Sequence, residues 1–303
     1  MKGYKAFSKG MTCRGKQYAE NTIFEEKEAR ICQRGMHFCA NPLDTLDYYP
    51  LIDDNGNLTE FAEVESLDDC VTDDNKKFCT KKLKIGAKLS LSEFIKASLS
   101  ITHESVKSEV NAGGDYATLV GDDFAKLVGG YREKLVGGYR AKLVGGDYAT
   151  LVGGYRAKLV GGDYATLVGD NYATLVGDDY ATLVGDDYAT LVGDDCATLV
   201  GDDYATLVGG DCAKLVGDDY ATLVGGDCAK LVGDYRAKLV GGENSIIVGD
   251  SGSIAKGKKG AVIVLVERDS NNIFNYKAVQ IDGKEIKEDT FYKLENGKFV
   301  EVS

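Results

Sequence analysis

Tryptophan is absent from this 303-residue chain, and proline and histidine occur only twice each. So little proline excludes a collagen-like helix or a proline-rich spacer. Without a run of 18 or more apolar residues there is no candidate transmembrane helix. The start, Met1-Lys2-Gly3-Tyr4-Lys5, lacks the apolar core of a signal peptide, so the expected compartment is the cytoplasm. There the eight cysteines are expected as free thiols. Basic charge is also short: 36 Lys and Arg against 48 Asp and Glu give −12, which excludes a general nucleic-acid binder. Paired C-x2-C spacing is missing, so Cys32, His37 and Cys39 read as buried thiols and a structural histidine rather than a zinc site. With no nucleotide loop, Ser-His-Asp set or paired-carboxylate signature, the expectation is a non-enzymatic protein without a cofactor.

Glycine, by contrast, is abundant and regular. From Gly113 to Val240 the chain is sixteen octads without insertion or deletion, with consensus G-[GD]-D-Y-A-[TK]-L-V. Degenerate octads follow over 241–248 and 249–256, and 105–112 reads as another. Eight residues do not match a coiled-coil heptad, and glycine at every eighth position would break helices. A short strand, Tyr-Ala-Thr-Leu-Val, followed by a Gly-Asp-Asp turn predicts a β-solenoid. Variants recur at sixteen: Cys196, Cys212 and Cys228 form one series, and Tyr172, Tyr188, Tyr204 and Tyr220 another. One coil is therefore two octads with two opposed sheets, and eight coils make a rod of about 38 Å. Alternation along a strand turns Ala and Leu inward and places four and six outward. The expected outer ladders are Tyr172, Tyr188, Tyr204 and Tyr220 with Thr174, Thr190, Thr206 and Thr222. Val faces out as well, unless the corner turns it in.

The octads resemble those of bacterial ice-nucleation proteins. Tyr180-Ala-Thr-Leu-Val-Gly185 looks like their G-S-T-L-T-A unit, and their 16-residue coils also hold two octads. The resemblance implies that architecture, with an ice-binding solenoid as one functional alternative. It departs at the T-x-T motif: the second Thr is always Val here, and the first is Lys in seven of sixteen octads.

Charge is uneven along the rod. Residues 169–232 carry thirteen Asp and two Lys. The candidate binding residues are the turn carboxylates Asp178, Asp179, Asp186, Asp187, Asp194, Asp195, Asp202, Asp203, Asp218 and Asp219. Duplex DNA carries about eleven charges over the same four coils. That density motivates an alternative in which the rod is a DNA mimic inhibiting a host DNA-binding enzyme. Stacked carboxylates could also hold Ca²⁺, though the octad lacks the nonapeptide of calcium β-rolls.

Residues 1–104 read as an α+β domain. Strands are predicted at Tyr4–Phe7, Met36–Cys39, Phe61–Ser66 and Lys81–Ile85. Helices are predicted at Pro42–Tyr49 and Ser92–Ser98, the latter capped by Ser92 and Glu93, with His103 in a linker. Lys2-Gly-Tyr-Lys-Ala-Phe7, Cys13-Arg-Gly-Lys-Gln-Tyr18 and Gly35-Met-His-Phe-Cys-Ala-Asn-Pro-Leu-Asp44 resemble an uncharacterised domain family of phage, prophage and gut-bacterial proteins. The resemblance implies a phage-encoded protein working in the host cytoplasm. Gly35-Met-His-Phe-Cys39, followed by Leu43-Asp-Thr-Leu-Asp-Tyr48 and Phe61-Ala-Glu-Val-Glu65, also looks like the G-I-Y-F-A…S-x-x-Y element of ADP-ribosyltransferases. Cys13-Arg14-Gly15 would stand for the arginine strand of that family. His37 occupies the tyrosine position, and no residue fills the catalytic glutamate.

Residues 257–303 read as a β cap beginning with the strand Ala261–Glu267. Its hairpin turns are Ile281-Asp-Gly-Lys284 and Leu294-Glu-Asn-Gly-Lys298. The fold expected is mainly β: an octapeptide-repeat solenoid over 105–256 between the α+β domain and the cap. The function expected is a rigid acidic scaffold or protein-binding surface. A protein partner is expected, with no direct nucleic-acid or membrane contact, and the outer ladders could also support a homodimer.

Overall fold

The computed structural model describes residues 1–53, 55–106, 111–268 and 274–302, without the side chains of residues 92, 99, 100, 102–106, 111 and 274. They divide into two compact units, Met1–Thr102 and His103–Ser303.

The first unit is an antiparallel seven-stranded sheet. Its strand order is Ile23–Glu25, Lys82–Leu89, Glu60–Ser66, Lys2–Phe7, Met36–Cys39, Lys77–Thr80, Cys70–Thr72. Phe7, Met36, Phe38, Val64, Leu83 and Ile85 form its core. Pro42–Asp47 is a 3-10 helix whose cap, Asn41, accepts from the Leu43 amide at 2.9 Å. The α-helix runs over Leu91–Val106, longer than expected, and takes in the backbone of His103. Its cap is Ser90, not Ser92, whose side chain lies outside the described residues. Ser90 Oγ accepts from the Glu93 amide at 3.2 Å, and Glu93 accepts from the Ser90 amide at 2.8 Å. This reciprocal pair is a capping box.

The second unit is the solenoid. Alternate strands form two parallel sheets, and every strand pairs with the one sixteen residues on, as in Leu191 with Leu207 and Leu183 with Leu199. One coil is therefore two octads. Ala and Leu from both sheets form one continuous core, from Leu127 to the C-terminal cap. The expected strand is shifted, however. Regular pairing covers places six to eight and the next glycine, as in Thr190–Gly193. Place four sits at the corner in the left-handed region, with φ 59° at Tyr188 and 60° at Tyr220. Seventeen consecutive octads repeat this with Tyr, Phe, Arg, Cys or Asn, and Gly252 and Gly260 continue it. For an L side chain that conformation costs roughly 1–2 kcal/mol, so the surrounding coil must enforce it.

Valine divides by sheet. In the eleven-stranded sheet Val184, Val200 and Val216 are exposed, while in the twelve-stranded sheet Val176, Val192 and Val208 are buried. Val128 and Val144 form a cluster separate from the Ala–Leu core, so they point away from it, as alternation predicts. The octad pattern also runs on past Lys256. Val262–Arg268 pairs parallel with Ile246–Gly249, and Ala261 and Ile263 fill inward places, because Gly257, Gly260 and Ala261 still suit the corner. Among the residues of the degenerate octad before Gly113, Asn111–Ala112 pairs in register with Leu127–Val128, and 107–110 lie outside the described residues.

Antiparallel strands close both sheets. Phe274–Gln280 pairs with Val262–Arg268, and Tyr292–Glu295 meets Ile254–Gly257. Asn296 and Gly297, both at positive φ, turn the expected hairpin onto Lys298–Glu301. Asp282-Gly283 does not turn a hairpin: Asp282 Oδ1 instead accepts from the amides of Lys284, Glu285 and Ile286. Ile281, Ile286 and Tyr292 complete the core.

One octad breaks the core rule. Glu133 replaces Ala at place five, is 1% exposed, and leaves Oε2 without a hydrogen-bond partner. Burial pushes its carboxyl above the usual carboxylate range. Glu133→Ala is expected to stabilise the rod by about 1–3 kcal/mol, measured by denaturant unfolding. A raised native carboxyl is favoured only while protonated, so the wild type loses ground as pH rises. The gap between the two proteins should be smallest in acid and widen upward from about pH 4.5. At the corner, Cys212→Asn is expected to gain up to about 1 kcal/mol in the same assay, since Asn tolerates the left-handed conformation that Asn244 already adopts.

Candidate functional site

Two surfaces carry chemistry: the edges and groove of the rod, and a cavity in the first unit.

The predicted tyrosines stack along one edge of the rod. Successive rings of Tyr172, Tyr188, Tyr204 and Tyr220 are 4.9 Å apart and within 4° of parallel. Tyr148, Tyr164 and Tyr180 stack likewise in the other column, which Cys196, Cys212 and Cys228 continue. Thr174, Thr190, Thr206 and Thr222 stand in register on the twelve-stranded sheet.

The ten predicted carboxylates separate into two columns. Asp178, Asp179, Asp194 and Asp195 precede strands of the eleven-stranded sheet; Asp186, Asp187, Asp202, Asp203, Asp218 and Asp219 precede strands of the other. Asp178 and Asp194 are buried. Both columns crowd: ligand oxygens of Asp179, Asp194 and Asp195 lie within 4.8 Å of one another, as do those of Asp202, Asp203 and Asp218. Desolvation, then neighbouring aspartates, push Asp187 upward.

The choice of Gly or Asp at place two follows from how the corner amide is satisfied. With Asp there, its own Oδ1 accepts from the next amide, as in Asp186 and Asp202. With Gly there, the place-three Asp of the preceding coil, where one is present, reaches across instead: Asp195 accepts from Asp211, and Asp211 from Asp227, both at 2.8 Å; before Gly146 and Gly154 that place is Tyr. A Cβ on Gly210 or Gly226 would lie 2.4–2.5 Å from that bridging oxygen. Side chain and bridge cannot coexist.

Beside the second column runs an open groove of about 540 Å³. Val184, Val200, Val216 and Val232 form an apolar floor, flanked by Asp202, Asp218, Asp234 and Asp250.

In the first unit a cavity of about 350 Å³ opens against the central strand Lys2–Phe7. Its deepest cation is Lys5, 4% exposed. Lys5 Nζ donates to the His37 carbonyl at 2.9 Å and to Cys13 Sγ at 3.4 Å. Cys13 Sγ also lies 2.8 Å from the Tyr49 hydroxyl. Arg14, Lys16 and Lys77 add positive charge, and Glu26, the one carboxylate in the lining, forms a short ion pair with Lys16. Lys77 Nζ sits 4.2 Å from the Tyr48 ring centroid and donates to Cys32 Sγ at 3.1 Å. Tyr18 and Tyr48 supply aromatic walls.

His37 is committed locally. Its Nε2 accepts from the Cys32 amide at 3.0 Å, and burial followed by the nearby Lys5 and Arg14 pulls its pKa down to about 4. Burial pushes Cys39 up to about 12. Arg14, His37 and Tyr48, singled out by the ADP-ribosyltransferase resemblance, do line one cavity. Glu65 does not; it pairs with Lys2 along the sheet. Lys5, Tyr49 and Lys77 escaped sequence reading as site residues because they come from three separate segments that only the fold brings together.

Residues 1–97 match the model of a domain family of unknown function, DUF7666. No curated protein and no solved structure matches the chain. Among the described residues, no helix is long and apolar enough to cross a membrane.

His37 predicts a pH effect. A lowered histidine leaves the unfolded chain binding more protons, so the first unit should lose stability as pH falls from about 6.5 to about 4. Thermal melts of wild type and His37→Gln across that window should converge toward acid, while the imidazole NMR shifts stay those of the neutral ring above pH 5.

Proposed function

We propose that the protein is a non-enzymatic scaffold whose solenoid presents a rigid binding surface to a protein partner in the cytoplasm. The observation that carries this reading is the groove of the eleven-stranded sheet, an apolar valine floor beside a row of carboxylates. Exposed apolar surface rimmed by charge is a common mark of a protein interface. The fitting partner is a segment that alternates apolar and basic side chains, its apolar residues on the valines and its Lys or Arg against Asp202, Asp218 and Asp234. Parallel strands bonded at every coil keep these rows at fixed spacing, so little ordering cost falls on the rod when it binds. The two separated acid columns favour this reading over a DNA mimic, since duplex phosphates follow a helical path.

The test is capture from host lysate with a photo-crosslinking residue at position 216, beside the same residue at position 206 on the other sheet. A partner cross-linked at 216, released by moderate salt and lost in Asp202→Asn/Asp218→Asn/Asp234→Asn, is the expected result. Equal capture by wild type and the triple variant would overturn it. Cross-linking to a second copy of the chain would replace the foreign partner with a homodimer.

A further inference from the structure

The first unit holds a charge that the scaffold reading does not use. Lys5 lies on the central strand of the sheet, and its side chain lines the cavity. Two of its three N–H donors go to the His37 carbonyl and Cys13 Sγ, and its ammonium lies 5.5 and 5.4 Å from the Phe7 and Tyr18 ring centroids, contacts that carry no negative charge. Among the described residues no carboxylate pairs with it, because Glu26 is held by Lys16. A buried ammonium without a counter-ion is costly, and removing such a charge from water is repaid only by good partners. The rest of the lining makes the imbalance larger: Arg14 and Lys77 line the cavity as well. In a chain of net charge −12, this cavity is lined by four cations and one carboxylate. Its volume suits a small molecule.

We propose that this cavity is the binding site of a small aromatic oxyanion, a carboxylate or a phosphate monoester, whose negative group pairs with Lys5 and whose ring lies against Tyr48. The bound anion supplies the missing counter-charge, with Arg14 and Lys77 beside it. Burial lowers the Lys5 pKa, and a bound anion would oppose that shift. Cys13, which touches Lys5, lies beneath the ligand and becomes a reporter of occupancy.

Phenyl phosphate, benzoate and the neutral isostere benzamide are titrated into the full chain by calorimetry, and iodoacetamide labelling of Cys13 is followed by peptide mass spectrometry. One anion or both should bind at one site and slow Cys13 labelling several-fold, and the tighter of the two identifies the headgroup. Benzamide should do neither. Lys5→Met should weaken binding at least tenfold. If that variant fails to fold, Arg14→Gln/Lys77→Gln decides, with a loss of several-fold expected. Benzamide binding as well as benzoate, no protection of Cys13 by either anion, or unchanged affinity in a folded charge variant would each overturn the proposal. None of these outcomes bears on the groove of the rod.

Discussion

Everything in the solenoid depends on how closely its two sheets approach. A Cβ on Gly193 would lie 2.6 Å from Ala197 Cβ and 2.9 Å from a Leu199 methyl, and the other first-place glycines of the octads meet their own neighbours in the same way. The core is thus filled by one alanine and one leucine per octad, with the glycine closing the corner. Such a thin core has no slack for volume changes. It explains why Leu and Gly never vary over sixteen octads while places four and six do. Glu133, in the third octad, is the exception: the glycine-lined space around it accepts the longer side chain, but not a partner for its second oxygen.

The period of sixteen was legible because like residues stack on like: Tyr on Tyr at 4.9 Å and Cys in line with Cys. Inward Ala and Leu followed from alternation alone. What alternation could not show was the corner. Tyr reads as a strand residue by propensity, yet it sits in the left-handed region, because the turn must reverse the chain within three residues and closure of the coil outweighs local preference. The strand after Lys256 was readable from its apolar run, but its parallel place in the solenoid sheet was not, because Lys258 and Lys259 replace the aspartates while Gly257, Gly260 and Ala261 preserve the shape. In the first unit four of the seven sheet strands were readable from apolar runs; the short Ile23–Glu25, Cys70–Thr72 and Lys77–Thr80 were not, nor was the cavity. Lys5 looks like an exposed strand residue until both faces of its strand are found covered.

The two units therefore differ in how they hold charge. The rod spreads carboxylates in columns at its corners, where backbone amides donate to many of them. The first unit gathers cations around one recess. A family match confined to residues 1–97 agrees with this division of labour, since the recess lies wholly inside it.

Each coil bonds only to the coils before and after it, with backbone hydrogen bonds running along the axis of the rod. Tension between the ends of the solenoid would therefore load one coil boundary at a time. The rod would give way like a zip, each step paying out sixteen residues, about 50 Å of chain, for the loss of about 5 Å of stacked height. A molecule so stiff under bending would be a long-travel, low-force extensible element under pull, with a stroke set by the number of coils.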